Sequence, residues 1–102
     1  MAAVWLLGAL GPAARACDVA LVLTIDVSGS IDPGEYRLQM DGLADALEDG
    51  AVADALVQAK AKVALVQWSG SSRQKITVPL RDLRNHADMT ALAVEVRQAP
   101  RP

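Results

Sequence analysis

The chain has 102 residues, 52% hydrophobic and 22% charged, with 7 Gly, 5 Pro, one Cys and 3% aromatics. These are the proportions of a globular chain, not of a disordered or fibrous one, and the length allows a single domain. Ten Lys and Arg stand against twelve Asp and Glu and the signs are scattered, so no basic footprint offers itself to a phosphate backbone and a nucleic-acid partner is not expected.

The opening Met1–Ala16 runs MAAVWLLGALGPAARA. An apolar stretch from Ala2 to Leu10 is broken by Gly11-Pro12 and followed by Ala14-Arg15-Ala16, a small-x-small cleavage pattern, which reads as a signal peptide over 1–16 although no Lys or Arg precedes the apolar run. The expected location is secreted or periplasmic. The competing reading, an N-terminal helix, is opposed by Gly8, Gly11 and Pro12. The stretch is far shorter than the about 20 residues that cross a bilayer, so no membrane span is expected. Cleavage would leave Cys17, the sole cysteine, near the mature N-terminus, where a disulfide partner has to come from another chain or from sequence beyond this one. Lipid modification of Cys17 is the alternative, for which Ala14-Arg15-Ala16 is a poor match.

Val19–Ile25 (VALVLTI) is apolar or β-branched without alternation, the pattern of a strand buried on both faces, and predicts a central first strand. Asp32-Pro33-Gly34-Glu35 then supplies an N-cap, a proline at the first helical position and the acid of a capping box, with Ile31 and Tyr36 spaced as a hydrophobic staple. Tyr36, Met40, Leu43 and Leu47 share one face of a helix ending near Asp49-Gly50. A second helical stretch is expected over 51–59. Val63–Ser69 reads as the next strand, reached after about 35 residues containing a helix, which favours a right-handed parallel crossover. Gln74–Leu80 reads as a third strand paired back by a hairpin, and Pro79, unable to donate to a ladder, puts it at an edge. His86–Gln98, with Met89, Leu92 and Val96 on one face, closes the order β-α-β-β-α. The fold class is α/β, an open sheet with flanking helices.

Asp26-Val27-Ser28-Gly29-Ser30 lies at the carboxyl end of the first strand and leads into a helix, the position where open α/β sheets bind ligands. A hard divalent cation takes oxygen ligands, a carboxylate for charge and hydroxyls for geometry, with water completing an octahedron. Alternate residues of a tight loop turn to one point, so Asp26, Ser28 and Ser30 are the candidate metal ligands while Val27 packs away and Gly29 allows the sharp turn. The bland alternative is a cluster of Asp and Ser that caps and turns the chain without metal.

These residues resemble the von Willebrand factor type A domains, whose metal-ion-dependent adhesion site opens with DxSxS after the first strand. The likeness extends through DPGEY, VALVQWS, the hairpin strand and the last helix, and ACDVALVLTIDVSGSIDPGEYRLQ with VALVQWSGSSRQ is similar to a group of secreted bacterial proteins of unknown function built on this domain. The resemblance implies a Rossmann-like open sheet, a Mg²⁺ (or Mn²⁺) at Asp26, Ser28 and Ser30, and a protein partner that presents an acidic residue to the ion. It also implies an N-terminal half with three of five metal ligands, the C-terminal half missing. The family's other ligands are a later Thr and Asp, and Thr90, Asp82 and Asp88 stand at none of their positions, so the incomplete site would not necessarily retain its ion.

The remaining signals are weaker. His86, beside Asn85 and Asp88, reads as a solvated helix start, Trp68 as core or cover, and Ser69 either as a hydrogen-bonding hydroxyl near the top of the sheet or as a strand-end hydroxyl facing a turn. Arg73, Lys75, Arg81 and Arg84 read as a solvated basic face. Ser28 replaces the second Asp of a haloacid-dehalogenase-like site, and no nucleophile elbow GxSxG surrounds it. His86 has no evident carboxylate to orient it, and HExxH, CxxC and GxxxxGK[ST] do not occur. The expectation is a non-enzymatic binding module. Its rivals are a metal-independent structural interaction protein and an accessory subunit of a larger enzyme or export complex.

Overall fold

A computed structural model describes residues 19–70 and 72–102; the expected signal segment and Cys17 lie outside them. The order is β1 (Ala20–Asp26), α1 (Pro33–Glu48), α2 (Gly50–Gln58), β2 (Lys62–Ser69), β3 (Arg73–Asp82) and α3 (His86–Gln98). The three strands form one mixed sheet in the order β1-β2-β3, β1 parallel to β2 and β2 antiparallel to β3. This is the expected α/β architecture, with α1 packed along α3 and α2 beside both.

Local chemistry sets the helix ends. Asp32 accepts from the Glu35 amide at 2.8 Å and Glu35 returns a carboxylate oxygen to the Asp32 amide at 2.9 Å, the reciprocal pairing that relieves two orphan donors of a first turn. Asp49 is both the C-cap of α1 and the N-cap of α2, its Oδ2 accepting from the amides of Ala51 and Val52. At the far end of α2, Lys60 adopts φ 52° while its amide donates to the Val57 carbonyl and that of Ala61 to Leu56, a left-handed helix stop usually made by glycine.

The core lies between the helices and one sheet face. Tyr36, Met40, Ala44 and Leu47 of α1 and Met89, Leu92, Ala93 and Val96 of α3 are buried, against Val63 and Leu65 of β2 and Val78 of β3. Leu43, expected on the same face, packs at its margin while Ala44 is buried. Pro79 sits in β3, which is an edge of the described sheet, as expected.

Two expectations need correction. β1 is an edge of the described sheet, not its centre, and its side chains alternate: Leu21, Leu23 and Ile25 pack toward the core, whereas Val22 is 56% exposed. An unbroken apolar run carries no period, so it does not tell a strand covered on both faces from one covered on a single face; in β2, Val63, Leu65 and Gln67 are buried toward the helices, while Ala64, beside Val22 in the ladder, and Trp68 stand on the other face. Trp68, opposite Asp26 in the ladder, is 36% exposed and stands with Val22, Ile76 and Leu80 among the exposed large apolar side chains, so it is neither core nor cover.

Candidate metal-binding loop

The loop begins where β1 ends. Its backbone is tied on three sides: the Val27 amide donates to the Trp68 carbonyl at 2.8 Å, the Ile31 amide to the Ser28 carbonyl at 3.0 Å, and Gln39 Nε2 of α1 to the Asp26 carbonyl at 3.2 Å. Val27 is 5% exposed and belongs to the core cluster. That anchor turns the flanking polar residues outward, because neighbours along an extended chain face opposite ways.

The three candidate ligands come together. Ser28 Oγ and Ser30 Oγ lie 3.1 Å apart, and Asp26 Oδ1 accepts from the Ser28 amide at 2.8 Å. Hydrogen bonding from the Ser28 hydroxyl and then from its backbone amide holds the Asp26 carboxyl below its ordinary 3.8, so it is ionised at neutral pH. The donor set fits a hard cation. Two oxygens on adjacent corners of a Mg²⁺ octahedron with 2.0–2.1 Å bonds are about 3 Å apart, the spacing of the two hydroxyls, and one carboxylate supplies the charge. Among the described residues no cluster of three His, Cys, Asp or Glu offers a more acidic site.

Arg101 was not foreshadowed by any motif. Its guanidinium donates to the Ser28 carbonyl at 2.8 Å and reaches the Val27 carbonyl at 3.4 Å, tying the loop to the segment after α3. Nor is Gly29 needed for the turn: its φ lies outside the left-handed region and a Cβ there would meet nothing within 4 Å.

The other signals sort differently than expected. His86 Nε2 lies 2.7 Å from Asp54 Oδ1 on α2, so the carboxylate partner that no sequence neighbour revealed is present, with both side chains 61% exposed. Ser69 lines a cleft of about 320 Å³ with Val27, Gln67, Ser72, Arg73, Gln74, Lys75 and Pro102. Arg81 pairs with Glu95, and Arg84 with Asp88. No helix among the described residues is long and apolar enough to cross a membrane.

A family model described as a protein of unknown function (DUF1194) matches residues 16–102. No curated protein matches the chain.

Proposed function

The chain belongs to the DUF1194 family of proteins of unknown function, and from that premise we propose that it is a secreted or periplasmic, non-enzymatic binding module similar to the von Willebrand factor type A domains. Asp26, Ser28 and Ser30 would hold Mg²⁺ or Mn²⁺ for adhesion to a protein partner. The observation that carries this reading is the 3.1 Å approach of the Ser28 and Ser30 hydroxyls beside an ionised Asp26. The ion would supply a positive centre for a carboxylate of the partner. One carboxylate and two neutral hydroxyls leave such a centre with most of its charge, which suits recognition of a Glu or Asp from another protein.

The residues of this chain have defined parts in that reading. Asp26 provides the negative charge, the two serines provide neutral oxygens, and Val27 anchors the loop in the core. Gln39 and Arg101 hold the carbonyls of residues 26–28.

The test is titration of the full chain with Mn²⁺ followed by electron paramagnetic resonance. Saturable binding is expected, competed by Mg²⁺, reversed by EDTA and abolished by Asp26→Ala with expression intact. Binding unaltered by Asp26→Ala overturns the assignment. A second reading has its own support: the loop satisfies itself, Asp26 by the Ser28 amide and Ser28 by Ser30, as in a metal-independent interaction protein. Partner capture insensitive to EDTA favours it.

A further inference from the structure

The cleft beside the loop has a chemistry of its own. Of the four cations that read as one solvated face, Arg81 and Arg84 are paired with acids. Arg73 and Lys75 line the cleft, and neither forms an ion pair among the described residues.

The β2–β3 ladder explains why the two cations converge. Arg73 stands opposite Ser69 and Lys75 opposite Gln67, and side chains two apart or directly opposite share a face. Gln67 points to Tyr36 of α1, donating to its hydroxyl, so all four leave the sheet on the helix-covered side. Ser72 adds a hydroxyl to the wall, and no lining side chain is acidic. The volume, about 320 Å³, lies at the small end of ligand sites.

We propose that this cleft is a binding site for a small oxyanion, gripped by the Arg73 guanidinium and the Lys75 ammonium with the serine hydroxyls as further donors. A guanidinium offers two parallel N–H donors that match a carboxylate or a phosphate equally, and an ammonium adds a mobile point charge. The shared chemistry is therefore the oxyanion, from either source. The site stands apart from the metal reading, because its donors are cations and none of Asp26, Ser28 and Ser30 lines it.

Calorimetric titration of the full chain with succinate and, separately, inorganic phosphate tests it, at low ionic strength in buffer freed of divalent ions by a chelating resin, so that metal binding contributes nothing. Saturable one-to-one binding of at least one anion is expected, weakening as salt is added. Binding of succinate alone identifies a carboxylate site, and of phosphate alone a phosphate site. The double variant Arg73→Gln/Lys75→Gln should weaken binding at least about tenfold with an unchanged thermal midpoint, since both side chains are exposed. Arg84→Gln, which removes an equal kind of charge outside the cleft, should leave it unaltered. Absence of binding by both anions, or an equal loss in Arg84→Gln, overturns the proposal whatever becomes of the metal site.

Discussion

Gln67 Nε2 donates to the Tyr36 hydroxyl at 2.7 Å, joining the central strand to the first helix through the interior. The relay continues in both directions: Thr77 Oγ1 donates to Gln67 Oε1 at 2.7 Å, and Tyr36 donates to the Ala99 carbonyl at 2.8 Å. Gln67 is 1% exposed and Tyr36 5%, and no buried side-chain polar atom among the described residues lacks a partner. The relay therefore holds the segment after α3 against the sheet, and Arg101, two residues beyond Ala99, is delivered to the loop.

Tyr36→Phe keeps the ring and removes the hydroxyl, leaving a Gln67 N–H and the Ala99 carbonyl unpaired in the interior. A loss of about 1–3 kcal/mol is expected. Urea denaturation checks it: the midpoint should fall with the slope unchanged. An unchanged midpoint would show the relay to be energetically idle.

Lys60 occupies a left-handed conformation at the end of α2, which strains a side-chain-bearing residue and not glycine. Its exposed side chain makes no ion pair among the described residues. Lys60→Gly should stabilise the chain by about 0.5–1 kcal/mol, the relief of strain exceeding the added backbone entropy. A lowered thermal midpoint would contradict this.

Arg101→Ala frees the carbonyls of Val27 and Ser28 from their guanidinium partner. Amide exchange at Ser28–Ser30 should quicken. The same guanidinium helps depress the Asp32 carboxyl, after its hydrogen bonds at the helix cap, so the Asp32 titration followed by NMR should move upward in the variant. Neither change would occur if Arg101 merely rested on the surface.

Asp26 and Asp32 both titrate below their ordinary 3.8, through the Ser28 hydroxyl and amide in one case and chiefly the Glu35 amide in the other. A carboxyl whose folded value is depressed binds protons more readily when unfolded. Its contribution is complete above the unfolded value and is lost as pH falls through the folded one. The urea midpoint should thus be insensitive to these groups from neutral pH down to about 5 and fall below it, with Asp32→Asn showing a shallower acid-side fall.

How far each feature was legible depends on the range of its physics. The start of α1 was readable from Asp32-Pro33-Gly34-Glu35, and the span His86–Gln98 from its apolar spacing, because caps and helical periodicity involve residues three or four apart. The loop from Asp26 to Ser30 was readable for the same reason: its contacts join residues two apart. Gly29 was overread, since its identity suggested a backbone freedom that the observed turn does not use.

The sequence by itself determined the α/β order of elements, the helix caps and the convergence of the loop's oxygens, all products of short-range geometry. Only the tertiary structure decided that β1 is an edge of the described sheet with Val22 exposed on its outer face, that Asp54 meets His86 across 32 residues, and that Arg101 reaches Ser28 across 73. It also separated Arg73 and Lys75 from the paired cations around them. Such relations depend on strand order and on which helix lies over which face, and these follow from burying the whole chain's apolar surface at once, which no local window of sequence contains.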